Sequence, residues 1–387
     1  MKLIMSKKFL TAAIKAVLPA VPGRPGLPIL TGIRLDATTE RLTLETTDLE
    51  VTITRTVSDG VRVDREGSVV APAKALAKAV IAMPGEEVSL ESTTEGERVF
   101  LLVSSGARSV TLDGWSPDDW PKAPDPTELS AVASVEASTL AEAFERAALC
   151  ASADEMRPTL TGVALVVTED GGAVDVVATD SYRLGVVRIS FQEPVRTPER
   201  PLLVPARVAK VLAKQVKGAG GVVRIRHVAP PEDDRAAASP LVGFAFEESA
   251  WTVRTIDGEF PNWRQVVPEA EGALFEFDSK ELDSALRAAA SVRKGRAVSP
   301  ISLKLDRACS LAVTEPDLGT MKETLAEASF SPNGVGAIQV AFNPDYLADA
   351  IKFCGTERGR MWIREATKAV LFEGPDRSYA LMPVRTG

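Results

Sequence analysis

The sequence predicts an α+β protein that contains one structural unit, of about 130 residues, repeated three times. Each copy contains, in the same order, an amphipathic helix, a pair of alternating strands and a second helix introduced by proline. The first two strand pairs share the pattern Pro-x-Leu-Thr-Gly and begin at Gly32 and Gly162, 130 residues apart, and a weaker third copy surrounds Pro300. Similarity at a fixed period is typical of repeated units.

The first element of each copy is a helix with one apolar face. Apolar residues three and four positions apart predict helices over residues 7–18, 138–150 and 279–292. Thr139 with Glu142, and Asp278 with Glu281, have the spacing of a capping box at a helix N-terminus. We therefore expect two of these helices to begin next to those residues.

Two antiparallel strands follow each first helix, because apolar and polar residues alternate there with a period of two. The second strand of each pair ends in a threonine followed by an acid, namely Asp48, Asp180 or Glu315. An acid after a strand is typical of a turn or cap residue. A catalytic role for these repeated carboxylates is the alternative.

A second helix is predicted after Pro72, Pro205 and Pro344, with proline at the first helical position. Asn343 is a suitable N-cap for the last of them. Proline-rich or acidic connections lie near residues 123–130 and 267–273. We therefore expect three domains, over residues 1–127, 128–270 and 271–387.

The composition excludes several classes of function. The 387 residues include one histidine and three distant cysteines with no CxxC spacing, so the sequence indicates no metal site, no cofactor and no disulfide framework. His227 is interpreted as a surface residue of a strand. No Walker-type phosphate loop and no 18-residue apolar run occurs. The basic N-terminus fits an amphipathic helix better than a signal peptide, and we expect a cytoplasmic protein.

Basic residues are concentrated on the predicted helices, although the formal net charge is −8. Over residues 205–217 four bases are spaced 3, 4 and 3 apart on one helical face, and the opposite face is apolar. A solvated surface would explain one such helix. The repetition favours contact with a phosphate backbone. The candidate residues for this phosphate contact are Lys7, Lys15, Arg24, Lys78, Arg157, Arg207, Lys210, Lys214, Lys217 and Arg293.

Four segments resemble the bacterial DNA sliding clamps, the beta subunits of DNA polymerase III. They are Arg24–Leu30 (RPGLPIL), Ala178–Leu184 (ATDSYRL), Asp257–Arg264 (DGEFPNWR) and Leu381–Arg385 (LMPVR), and all three repeats are in register with the family. The resemblance implies a non-enzymatic head-to-tail homodimer, a ring with helices lining the hole and sheets outside. It also implies loading onto double-stranded DNA by a clamp loader, and tethering of the DNA polymerase III alpha subunit and other proteins that carry a clamp-binding motif.

The resemblance also implies two sets of site residues. The dimer interface would include the edge strand around Val110, with Lys74, Arg108, Leu112, Ala289 and Ala290. The partner-peptide cleft would consist of Leu160, Thr179, Ser181, Tyr182, Arg183, Leu184, Pro261, Gln265, Val266, Ala380, Met382, Pro383, Val384 and Arg385. Ser181-Tyr182 replaces the Gly-His that is common in the family.

Three alternatives remain open at this point. One is a three-repeat binding scaffold that does not encircle DNA. The second is an enzyme that uses the repeated carboxylates, and the third is a specialised second copy of a clamp. A stable dimer in solution would favour the ring over the scaffold.

Overall fold

A computed structural model of the chain describes residues 1–122, 130–191, 195, 200–228, 240–292, 299–315 and 318–385. The chain divides into two compact units, one formed by Met1–Leu140 with Lys214–Thr255 and the other by Ala141–Ala213 with Ile256–Gly387. The division passes through the second repeat, because strands of that repeat pair with strands of both other repeats.

The described residues form six helices of 10 to 12 residues, two in each repeat, as the sequence predicts. They are α1 (Lys7–Val17), α2 (Ala73–Ala82), α3 (Ala137–Ala147), α4 (Ala206–Lys217), α5 (Ser279–Ala289) and α6 (Pro344–Cys354). No helix in these ranges is long and apolar enough to cross a membrane.

The first unit contains a five-stranded and an eight-stranded antiparallel sheet. The five-stranded sheet has the order β5 (Val61–Arg65), β1 (Lys2–Ser6), β7 (Glu87–Glu95), β8 (Arg98–Ser105) and β9 (Arg108–Gly114). The eight-stranded sheet has the order β10 (Ser130–Glu136), β15 (Val222–Val228), β16 (Leu241–Phe246), β17 (Ser249–Arg254), β4 (Val51–Val57), β3 (Arg41–Thr47), β2 (Gly32–Thr38) and β6 (Gly67–Pro72).

The second unit contains a nine-stranded and a four-stranded sheet. The nine-stranded sheet has the order β14 (Leu202–Pro205), β11 (Gly162–Val167), β12 (Ala173–Thr179), β13 (Arg183–Ser190), β26 (Arg377–Leu381), β25 (Val370–Gly374), β24 (Arg358–Ile363), β18 (Ala273–Asp278) and β22 (Ser329–Ser331). The four-stranded sheet has the order β21 (Gly319–Thr324), β20 (Ser310–Glu315), β19 (Ile301–Leu305) and β23 (Ile338–Phe342).

One strand pairing in each unit joins two repeats. In the first unit β4 pairs with β17, with Val51 opposite Val253. In the second unit β13 pairs with β26, with Arg183 opposite Leu381. Each large sheet therefore runs without interruption from one repeat into the next, and the last strand of the chain lies beside the central repeat.

The helix N-termini agree in part with those predicted from the sequence. Asn343 caps α6, its Oδ1 accepting a hydrogen bond from the N–H of Asp345 at 2.9 Å. Pro344 begins that helix, but Pro72 and Pro205 are the last residues of β6 and β14, where they lie opposite Gly32 and Gly162. The prediction of proline at the first helical position is therefore wrong for α2 and α4, because the strand ladder extends one residue further.

The two predicted capping boxes have different outcomes: one forms in part and the other does not form. Asp278 Oδ1 accepts the N–H of Glu281 at 2.8 Å, as predicted. The Glu281 carboxylate instead accepts the N–H groups of Ala326 and Glu327. The box predicted at Thr139 is wrong, because α3 already begins at Ala137 and Thr139 lies in its first turn.

Candidate functional site

A pocket of about 230 Å³ lies in the second unit, where the end of β12, the turn after it, a 3-10 turn at Trp263–Gln265 and the end of β26 meet. Its lining is mostly apolar. The residues that line it are Leu160, Thr179, Ser181, Tyr182, Arg183, Leu184, Pro261, Trp263, Val266, Ala369, Ala380 and Met382. A concave apolar surface with a few polar groups is typical of a ligand site.

The turn between β12 and β13 forms one wall of the pocket. Asp180 Oδ1 accepts the N–H groups of Tyr182 and Arg183 at 2.9 and 3.0 Å, and Thr179 Oγ1 donates to the carbonyl of Arg183 at 2.7 Å. The equivalent Asp48 accepts the N–H of Val51 at 2.7 Å. The interpretation of these two repeated acids as turn residues is therefore confirmed.

Ser181 adopts a left-handed conformation with φ of +78°. An L-residue in this region costs about 1–2 kcal/mol relative to glycine. The hydrogen bonds around Asp180 hold the backbone there, and the turn presents Tyr182 with 62% of its surface exposed at the pocket rim.

Arg183 forms part of the pocket and ties it to α6. Its Nε lies 3.0 Å from Asp180 Oδ2 and its Nη1 lies 2.5 Å from Asp349 Oδ2, with a side chain that is only 11% exposed. The guanidinium also lies 4.2 Å from the centroid of the Tyr346 ring. Burial raises the pKa of the Tyr346 hydroxyl, and the negative charge of Asp180 adds to the shift. A buried charge is costly without such partners, so these contacts stabilise the position of Arg183 in the wall.

Two residues of the lining were not predicted from the sequence. Trp263 is buried and packs with Val177, Leu184 and Ala380 beneath the pocket. Ala369 lies just before β25. Two signals for Trp263 were available: it stands between two predicted residues, Pro261 and Val266, and it lies within the segment Asp257–Arg264 that resembles the family. Nothing in the sequence around Ala369 distinguishes it.

Four of the predicted cleft residues do not line the pocket. They are Gln265, Pro383, Val384 and Arg385. The N–H of Met382 donates to the carbonyl of Tyr182 at 2.9 Å, which brings the chain end to the pocket. Two residues later the N–H of Val384 donates to the carbonyl of Ala341 at 2.8 Å, so the backbone has left the pocket by that point.

The basic face of α4 is present as predicted from the helical spacing. The side chains of Arg207, Lys210, Lys214 and Lys217 are exposed. The opposite face is buried and includes Val208, Leu212 and Val216. Lys15, Lys78 and Arg24 are also exposed.

Three other candidate DNA-facing residues differ. Lys7 is half-buried, and its Nζ donates to the carbonyl of Met83 at 2.5 Å. Arg157 lies 2.9 Å from Asp154 Oδ2 and donates to Ser181 Oγ at 3.0 Å, which places it at the pocket rim and lowers the pKa of Asp154 through the hydrogen bond. Arg293 lies outside the described residues.

The predicted interface strand, β9, is an edge of the five-stranded sheet. Val110 and Leu112 are half-buried on one face, while Lys74 and Arg108 are exposed. Ala290 is exposed, but Ala289 is fully buried on the core face of α5 with Leu282, Ala285 and Leu286. The prediction that Ala289 contacts a second protomer is therefore wrong, because the helix turns that side chain into its own core.

The single histidine and the cysteines take no part in the pocket lining. His227 is half-buried, rather than fully on the surface as predicted, and burial lowers its pKa. All three cysteines are buried free thiols. Burial raises the pKa of Cys354 to about 12. In the part of the chain that the structure describes, no three His, Cys, Asp or Glu side chains are arranged to hold a metal ion.

Comparison with known proteins identifies the family. Sequence models of the DNA polymerase III beta subunit family match almost the whole chain. The model of the N-terminal domain matches residues 1–124, that of the central domain residues 134–262 and that of the C-terminal domain residues 264–385. The chain belongs to this family. The fold of three clamp domains and the interpretation as a sliding clamp, a processivity factor of DNA replication, are thereby confirmed.

Full-length relatives agree with the family models. The chain is 30% identical to the beta sliding clamp of Synechococcus elongatus, over 100% of this chain and 99% of that protein. It is 26% identical to the beta sliding clamp of Staphylococcus aureus, over the full length of both. The fold is similar to the DNA polymerase sliding clamp of Bacillus subtilis, with a TM-score of 0.90 at 22% identity over both complete chains. It is also similar to the beta sliding clamp of C. crescentus, with a TM-score of 0.88 at 24% identity over 100% of this chain and 99% of that one.

Proposed function

We propose that two copies of this chain close head to tail into a ring that encircles duplex DNA and holds the replicative polymerase on its template. The one-sided basic face of α4 carries the proposal. Four exposed bases occupy that face in a protein whose formal net charge is −8. A surface that attracts phosphates without reading bases is what a sliding ring requires.

The DNA-facing surface of the ring consists of exposed bases on the helices and their neighbouring loops. We assign to it Lys15, Arg24, Lys78, Arg207, Lys210, Lys214 and Lys217, together with Arg293 from the sequence pattern. We leave out Lys7, because it is half-buried. We also leave out Arg157, because it lies at the rim of the pocket beside Ser181.

Ring closure follows from three domains in each chain, with the bounds 1–127, 128–270 and 271–387. A ring of six such domains needs two chains, and a head-to-tail contact closes it. Among the residues that the structure describes, none pairs with the outer side of the edge strand β9, and Val110 and Leu112 lie on one of its faces. We place these two residues at the interface with Lys74, Arg108 and Ala290.

The pocket in the second unit is the site where partners bind. Its apolar lining suits short peptides with leucine or phenylalanine side chains and one polar residue nearby. Partners of this kind are the DNA polymerase III alpha subunit, the clamp loader and other proteins with a clamp-binding motif. The function needs no cofactor or metal and no catalytic group, and it is carried out in the cytoplasm at the replication fork.

A topological assay tests the ring. The protein is loaded by its clamp loader onto a nicked circular plasmid and isolated by gel filtration, and the plasmid is then cut once. A ring stays with the circle in high salt and leaves the linear product by sliding off its ends. A protein that is equally salt-sensitive on both DNA forms, or that sediments as a monomer, would support the non-encircling scaffold instead.

A further inference from the structure

An aspartate lies fully buried in β12, the strand whose last residue lines the pocket and whose seven residues are all buried. Asp175 in β12 has 0% of its side chain exposed. Its Oδ1 accepts from Arg188 Nε at 2.7 Å and its Oδ2 from Arg188 Nη2 at 3.0 Å, across the β12–β13 pair. A buried carboxylate is costly unless such partners satisfy it.

A second arginine reaches the same carboxylate from the 3-10 turn beside the pocket. Arg264 Nη2 donates to Asp175 Oδ2 at 3.2 Å. The guanidinium also lies 4.5 Å from the centroid of the neighbouring Trp263 ring. The ion pair joins the turn to β12, whereas the stacking contact is between neighbouring residues of the turn itself.

Strand geometry connects this ion pair to the pocket. Side chains two residues apart in a strand lie on the same face, so Asp175 shares a face with Val177 and Thr179. Val177 packs with Trp263 in the core, and Thr179 lines the pocket. The backbone hydrogen bonds of the turn are internal: the N–H groups of Val266 and Val267 both donate to the carbonyl of Trp263.

We propose that Asp175 is a positioning residue of the partner-peptide cleft, which acts through Arg264 to hold the turn that presents Trp263 and Val266 to the peptide. The inference rests on the proposed cleft function. Asp175 cannot touch a ligand, because it is fully buried. Its effect on binding is therefore transmitted through the turn.

The test measures the affinity of the full-length dimer for a fluorescein-labelled pentapeptide, Gln-Leu-Ser-Leu-Phe, by fluorescence anisotropy, and the melting temperature of each variant. Asp175→Asn and Arg264→Gln should each raise Kd about tenfold, which corresponds to about 1.4 kcal/mol, in the range of one net hydrogen bond. The double variant should be no weaker than either single one, because both changes break one contact.

Arg188→Gln is the matched control. It removes the other partner of Asp175 and should lower the melting temperature, but Kd should stay within twofold, because Arg264 still holds the turn. Arg264→Lys should recover part of the affinity by restoring a charge that can reach Asp175.

Each remaining outcome has a distinct meaning. Parent-like affinity of Arg264→Gln would overturn the inference and leave Trp263 as the anchor of the turn. An equal loss of affinity in Arg188→Gln and Arg264→Gln would also overturn it, because general destabilisation would then explain both. A parent protein that does not bind the peptide at all would overturn the proposed cleft, and the inference with it.

Discussion

Neutralising the basic face of α4 should reduce the salt dependence of DNA binding by a calculable amount. The change is Lys210→Gln with Lys214→Gln and Lys217→Gln. All three side chains are exposed, and the buried face of the helix is left intact. The fold should therefore keep its stability within about 0.5 kcal/mol, as is usual for surface substitutions.

The magnitude follows from counterion release. Each lost phosphate contact lowers the slope of log K against log salt by about 0.9, so three contacts lower it by about 2.7. When salt rises fourfold, from 50 to 200 mM, the affinity of the parent protein should fall by a factor about 40 times larger than the affinity of the variant does. This factor is four raised to the power of the slope difference, about 2.7. Fluorescence anisotropy on a labelled duplex, repeated with an unrelated base sequence, measures the slope.

Lys304→Gln is the matched control, because Lys304 is an exposed lysine on β19, outside the helices. Its slope should equal that of the parent. A triple variant with an unchanged slope would refute the assignment of α4 to the DNA-facing surface. A slope that differs between base sequences would refute binding by phosphate contacts alone.

Four further outcomes are expected. Val110→Asp with Leu112→Asp should give folded monomers in sedimentation velocity, because each parent side chain is half-buried and its remaining burial at an interface is worth about half of the 1.5–3 kcal/mol of full burial, while a buried aspartate opposes association. A variant that remains dimeric would place the interface elsewhere. Deletion of residues 382–387 should abolish peptide binding in calorimetry while the dimer persists, and unchanged affinity would contradict the cleft. Arg146→Met should lower the free energy of unfolding by about 2 kcal/mol, because Arg146 pairs with Glu142 and donates to the carbonyls of Lys352 and Phe353 at the end of α6. The control is Arg287→Met, which breaks the ion pair of an arginine whose side chain is 81% exposed and should lower the free energy of unfolding by less than about 0.5 kcal/mol. Equal losses in the two variants would show that the contacts of Arg146 with α6 contribute nothing. Cys150 and Cys354 should resist Ellman's reagent from pH 7 to 9 in the folded protein, because burial raises the pKa of both thiols and keeps them protonated; rapid labelling before unfolding would contradict their burial.

The repeated helices and strands could be predicted because their information is local. Periods of 3.6 and 2 specify which face of an element is apolar, and this was sufficient to place α1, α4 and β2. The position of a proline is less informative about an element boundary, because a proline such as Pro72 is compatible with the last position of a strand as well as with the first position of a helix. The boundary then depends on the strand partner, which lies elsewhere in the sequence.

The pairing of strands from different repeats could not be predicted from these patterns. Alternation shows that β13 has apolar faces, but it does not identify the strand on its edge. The same limit applies to the pocket. Leu160 and Val266 were placed there by resemblance, whereas Trp263 is an apolar side chain whose surroundings depend on where β12 and β26 meet. The burial of Asp175 depends on Arg188, which lies opposite it on the neighbouring strand, and also on Arg264, which is 89 positions away in sequence.

The pairing of β13 with β26 has a consequence for synthesis of the chain on the ribosome. Arg183 and Leu381 are paired but almost 200 positions apart, so β13 emerges long before its neighbour. At roughly 5–20 residues per second, that interval lasts on the order of 10–40 seconds. Until β26 is made, β13 has an unpaired backbone edge on the side that β26 later covers. Nascent chains should therefore be prone to aggregation at this edge after the central repeat has emerged and before the final strand is made, just as they should be at the edge of β4 until β17 is made.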